Sequence, residues 1–112
     1  MAYDEALANR IRELLFEIVT DIEEKAMFGG LCFMVNKKMC VGIFRNELMC
    51  RVDPGQYPFL LEKTGCRSME MGGKEMKGYI LVDPEQVSSK KELRTWVNLC
   101  LEFNPRAKAS KK

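Results

Sequence analysis

Residues 31–52 read LCFMVNKKMCVGIFRNELMCRV. Three apolar runs, Leu31–Val35, Met39–Phe44 and Leu48–Val52, alternate there with two polar links, Asn36-Lys37-Lys38 and Arg45-Asn46-Glu47. The runs are too short for helices and rich in β-branched, aromatic and thioether side chains. Links this short turn a strand back beside its neighbour, so the stretch predicts an antiparallel meander.

Setting Val35 opposite Met39 and Phe44 opposite Leu48 gives a register. One face then carries Cys32, Met34, Cys40, Gly42, Phe44, Leu48, Cys50 and Val52. The other carries Leu31, Phe33, Val35, Met39, Val41, Ile43, Met49 and Arg51. Both faces are apolar, whereas an antiparallel sheet with one wet side alternates apolar and polar residues. The expectation is that helices cover both faces or that a second molecule covers one.

Working outward, Asp4 can cap a helix running to about Asp21, with Leu7, Ile11, Leu14, Leu15, Ile18, Val19 and Ile22 as its buried stripe. Glu23–Phe28 reads as a short strand ended by Gly29-Gly30. Downstream, Pro54 starts a short helix through Lys63, with Gly65 as its terminator. Strands follow near Arg67–Met71 and over Met76–Val82, joined by Gly72-Gly73. Ser89-Lys90-Lys91-Glu92 has the spacing of a capping box and opens a last helix to about Phe103, where Asn104-Pro105 stops it. Its stripe is Leu93, Trp96, Val97, Cys100 and Leu101, widened by Leu99 and Phe103. The reading is α+β: an antiparallel meander of five to six strands with N-terminal and C-terminal helices and one short middle helix.

At 112 residues the chain has room for one domain. It is read as a single domain over residues 1–104 and a basic flexible tail over 105–112. The tail holds Arg106, Lys108, Lys111 and Lys112, which leaves 14 basic against 16 acidic residues in the body. A slightly acidic body weakens a nucleic-acid reading, which needs basic charge gathered on one face. No apolar run approaches the ~20 residues that span a bilayer, and the acidic start Met1-Ala2-Tyr3-Asp4-Glu5 does not read as a signal peptide. The five cysteines, Cys32, Cys40, Cys50, Cys66 and Cys100, form no CxxC and lie mostly in apolar runs, as free thiols in a cytoplasmic compartment would. Histidine is absent, which removes the commonest general base and the commonest metal ligand. No metal and no cofactor is expected.

Met27-Phe28-Gly29-Gly30-Leu31-Cys32-Phe33-Met34-Val35-Asn36 resembles the MFGG signature of TfoX (Sxy) N-terminal domains. Met39–Ile43, Leu48–Val52 and Met76–Asp83 look like further blocks of that family, in order, so the resemblance covers roughly residues 3–103. It implies an α+β domain with an antiparallel sheet and a loose association with regulation of natural competence, the bacterial uptake of DNA. The expectation is a stand-alone member without the second, C-terminal domain of the longer competence regulators, and Lys37-Lys38 stand where the turn usually has a glycine.

Met27, Phe28, Gly29 and Gly30 are read as structural, a tight turn exploiting glycine's φ freedom. A phosphate cradle would need a helix after the glycines, and a strand follows. Arg51, alone in an apolar strand, is the first candidate binding residue, a guanidinium for a carboxylate or phosphate with Lys77 beside it. No catalytic residue is assigned. The methionines suggest an adaptable surface if several are exposed.

Three functions stay open. The first is a non-enzymatic interaction or regulatory module with a protein partner, including a homodimer, using an apolar patch on a sheet face or on the Leu99 and Phe103 side of the last helix. The second is a nucleic-acid-associated accessory protein. The third is a small-molecule binder or enzyme using Arg51, Lys77 and carboxylates such as Glu70 or Glu75.

Overall fold

The computed structural model describes residues 3–27 and 29–107, without the side chains of Met27 and Met71. Phe28 of the glycine signature and tail residues 108–112 lie outside the described residues. Three helices, α1 (Glu5–Ile18), α2 (Tyr57–Leu61) and α3 (Lys90–Phe103), accompany six strands. The strands are β1 (Ile22–Met27), β2 (Gly30–Val35), β3 (Lys38–Phe44), β4 (Glu47–Arg51), β5 (Cys66–Met71) and β6 (Lys74–Val82). They form one antiparallel open sheet in the order β1-β2-β3-β4-β6-β5, so the fold is α+β as expected.

The helix ends follow their capping chemistry. Asp4 accepts hydrogen bonds from the amides of Ala6 and Leu7. Ser89 and Glu92 close the capping box at α3. α1 stops at Ile18, earlier than its apolar spacing suggests, because Val19 is already extended and the β-branched pair Val19-Thr20 disfavours another turn. Ile18 is therefore 45% exposed rather than part of the buried stripe. A 3-10 turn over Pro84–Val87 links β6 to α3.

All three helices serve the same side of the sheet. Leu7, Ile11, Leu14 and Leu15 of α1 and Leu93, Trp96, Val97 and Cys100 of α3 pack on Leu31, Phe33, Val41, Ile43, Leu48, Cys50 and Val82. Each such aliphatic side chain removed from water contributes about 1.5–3 kcal/mol. On the other side Cys32, Met34, Met39, Met49, Met69 and Leu81 form a second buried cluster, flanked by Phe44, Met76 and Tyr79. Side chains from the sheet itself close this side: small Cys32 and Gly42 lie at its centre, thioethers fill around them, and Phe44, Tyr79 and Met76 border it.

The register departs from the expected one in two places. Between β2 and β3 the pairing Leu31↔Ile43, Cys32↔Gly42, Phe33↔Val41 is as expected, but a bulge then gives Met34↔Met39. Cys40 is the extra residue, so Met39 joins the methionine side and Cys40 the helix side. Between β3 and β4 the pairs are Ile43↔Leu48 and Phe44↔Glu47, one residue away from the expected Phe44↔Leu48. A one-residue slip exchanges faces, so Leu48 and Cys50 face the helices while Met49 lies on the methionine side. The cause is loop length. Asn36-Lys37 and Arg45-Asn46 are two-residue turns, with φ +54° and +66° in the first and +63° at Arg45 in the second. Positive φ at these positions matches the right-handed twist of the strands they join.

Candidate functional site

Arg51 ends β4 opposite Tyr79 of β6. Its guanidinium stands 5.5 Å from the centre of the Tyr79 ring and 5.9 Å from that of Phe103, and its Nη1 donates to the Met39 carbonyl at 3.4 Å. Stacking on two rings suits the weakly hydrated guanidinium. The space beneath it, lined by Cys32, Met39, Cys40, Met49 and Tyr79, has no room for a water molecule. Arg51 thus closes one end of the methionine side. Lys77 is exposed on β6, beside Gly78 at φ +90°, and among the described residues no hydrogen bond or ion pair joins it to Arg51.

The carboxylates grouped with these cations lie elsewhere. Glu70 and Glu75 face each other across β5 and β6, and Glu75 accepts a 2.6 Å hydrogen bond from the Tyr57 hydroxyl of α2. Burial and that bond push the Tyr57 phenol up to about 12. Glu24 and Asp53 are shifted down: Arg12 holds Glu24, while the Gly55 amide and then Arg106 hold Asp53. A surface depression of about 360 Å³ is lined by Lys63, Thr64, Gln86, Glu92, Thr95 and Trp96. Glu92 there is committed to the Ser89 amide.

The cysteines are free and divide between the two sides. Cys32 belongs to the methionine cluster, whereas Cys40, Cys50 and Cys100 belong to the helix-side core. The expected grouping of Cys32, Cys40 and Cys50 on one face is therefore corrected by the bulge and the shorter turn. Burial pushes the Cys32 thiol up to about 11 and raises Cys40 and Cys100 as well. Raised thiols are poor nucleophiles.

Gly29 and Gly30 make a turn. Gly29 has φ +74°, and a Cβ on Gly30 would stand 1.9 Å from the Ile43 carbonyl oxygen. Gly30 is itself the first residue of β2.

Among the described residues the methionine side chains are mostly interior: Met34, Met39, Met49 and Met69 are buried. Leu99 packs on the helix-side core, and Phe103 lies between Arg51 and Arg106. Among the described residues the exposed large apolar side chains are instead Phe16 at 67%, Ile18 and Phe59 at 72%. Phe16 was legible in the sequence as an apolar residue lying off the stripe of α1. Arg12, one turn before it, forms a paired hydrogen bond with Glu24 of β1, at 2.5 and 2.8 Å. β1 is an outer strand of the sheet, and Glu23, Glu24, Lys25 and Ala26 are exposed along it.

A third feature forms where the basic tail begins. Asn104 is buried, donates to the Val35 carbonyl at 3.0 Å and accepts from the Asn36 side-chain amide at 2.9 Å. Lys38 donates to the carbonyls of Asn104 and Pro105, a favourable place for a cation at the end of α3. Arg106 pairs with Asp53 at 3.0 Å and lies over Phe103. Pro105 and Arg106 thus belong to a 3-10 turn folded onto the domain, and Ala107 is buried.

One family model, described as the TfoX N-terminal domain, matches residues 13–104. None of the curated proteins matches the chain.

Proposed function

The chain belongs to the TfoX N-terminal domain family, and on that premise we propose that it is a non-catalytic interaction module presenting the end of α1 and the edge of β1 to another polypeptide. The observation that carries this is the exposure of Phe16 and Ile18 on α1, whose Arg12 pairs with Glu24 of the outer strand β1. Apolar side chains next to unpaired backbone groups suit strand addition by a partner. The residues capable of chemistry support the same reading. Arg51 stacks on two rings, Glu75 is held by Tyr57, and the cysteine thiols with the largest shifts are buried and raised. A regulatory role in competence, the role the family resemblance implies, would be exercised through this surface.

Affinity capture of the tagged protein from its native lysate, with and without nuclease, tests the proposal when the Phe16→Asp variant is run beside the wild type. A protein partner that survives nuclease and is lost with Phe16→Asp is the expected result. Equal capture by both proteins removes the assignment to this surface.

A second reading has its own observation. Lys38, Arg51 and Arg106 gather around Phe103 and the start of the basic tail, a place for weak, salt-dependent attraction to nucleic acid. Enrichment that vanishes with nuclease, and with truncation after residue 107, would favour it.

A further inference from the structure

Among the described residues, β1 pairs with β2 on one side and has no partner on the other. The 3.1 Å bond from the Asn36 amide to the Asp21 carbonyl sets the phase of the ladder. Bonded and non-bonded positions alternate in an antiparallel pair. Residues 21, 23 and 25 therefore direct their backbone groups to β2, and Ile22, Glu24 and Ala26 direct theirs outward. Such a row is a template for another strand.

The side chains restrict which strand fits. Glu24 lies opposite Phe33 on the helix side, held by Arg12, while Glu23 and Lys25 lie opposite Met34 and Cys32 on the methionine side. If β1 pairs with a second copy of itself about a two-fold axis normal to the sheet, opposed residues must share a face. The axis can then pass through Glu23, Glu24 or Lys25. Through Glu23 it opposes two Glu23 carboxylates, and through Lys25 two ammonium groups. Through Glu24 it opposes Glu23 to Lys25 of the second copy, twice. The two Glu24 side chains then meet, each already neutralised by its own Arg12. Only this register uses Ile22, Glu24 and Ala26 of both strands.

We propose that the protein forms a homodimer by antiparallel addition of β1 to β1, centred on Glu24, with two Glu23–Lys25 pairs across the axis. The axis puts both α1 helices on the same side of the joined sheet. Phe16 lies on the line of α1 that carries Arg12 towards β1, so its exposed ring borders the junction. The inference deepens the interaction-module reading, which it takes as its premise, by naming a second copy as the polypeptide that β1 accepts.

Sedimentation equilibrium across a concentration series tests it, with circular dichroism to verify that each variant is folded. Wild type is expected to reach twice the chain mass. Lys25→Glu turns two attractive cross-strand pairs repulsive and should weaken association roughly tenfold or more. The exchange Glu23→Lys with Lys25→Glu restores the pairs in reversed order and should restore the dimer. A folded wild type that stays monomeric, a Lys25→Glu variant that dimerises unchanged, or an exchanged protein as weak as Lys25→Glu would each overturn the proposal. The broader reading fails separately, through equal lysate capture by wild type and Phe16→Asp.

Discussion

Gly30 lies directly against Ile43: a methyl group on the glycine would stand 1.9 Å from the Ile43 carbonyl oxygen, well inside contact distance. Gly29 beside it has open space around its Cα but a φ of +74°. The two glycines of the signature thus answer different requirements, close approach of backbones at one and a left-handed conformation at the other.

Alanine substitution should separate them. Gly30→Ala must push β2 from β3 and is expected to cost about 3 kcal/mol, whereas Gly29→Ala should cost about 1 kcal/mol. Urea unfolding midpoints at unchanged slope measure both. Equal losses would contradict the division of roles.

Lys37 takes φ +66° in the β2–β3 turn, after Asn36 at +54°. An Asn-Gly pair fits this turn better than Asn-Lys. Lys37→Gly is expected to stabilise the domain by about 1 kcal/mol, read as a higher melting temperature. A lower one would mean that the lysine side chain contributes more than its backbone costs.

Cys66 is half-buried and the other four cysteines are buried. Alkylation of the native protein near pH 8, followed by peptide mass spectrometry, should therefore modify Cys66 first. Cys32, Cys40, Cys50 and Cys100 should react at comparable rates only in denaturant. Early labelling of Cys32 would show that the methionine side opens in the native state.

The Tyr57 phenol is pushed up to about 12 by burial and then by its bond to Glu75. A folded-state value above the unfolded one stabilises the protein below the unfolded pKa of about 10, and that contribution is lost as pH rises towards about 12. Tyr57→Phe should be less stable at neutral pH by about 1 kcal/mol and should show a shallower alkaline decline. Urea midpoints on either side of pH 10 measure this; parallel declines would place the titration in other groups.

The elements were legible because periodicity and caps are local. Asp4, the Ser89–Glu92 box and the apolar runs of residues 31–52 set helices and strands where the structure has them. The faces were harder to read, because each depends on a count of one residue. Cys40 sits in a bulge that nothing in an apolar run announces. Arg45 takes a positive φ that its residue type does not advertise. The first moves Met39 and Cys40, and the second decides that Arg51 is on the methionine side, stacked on Tyr79 and Phe103, rather than on the side of Phe33. Sequence reasoning could single out Arg51, but its surroundings come from residues 28 and 52 positions further along the chain.

The bonds from Asn104 and Lys38 also set an order on biosynthesis. The Val35 carbonyl, the Asn36 side-chain amide and the Lys38 ammonium gain bonds from residues 104 and 105. On the ribosome, the β2–β3 hairpin emerges long before those residues do, and it must stay solvated at its turn until they arrive. Closure of the domain is therefore a late event in translation, and a nascent chain stalled before residue 104 would expose the Val35 end of its sheet to chaperones and proteases.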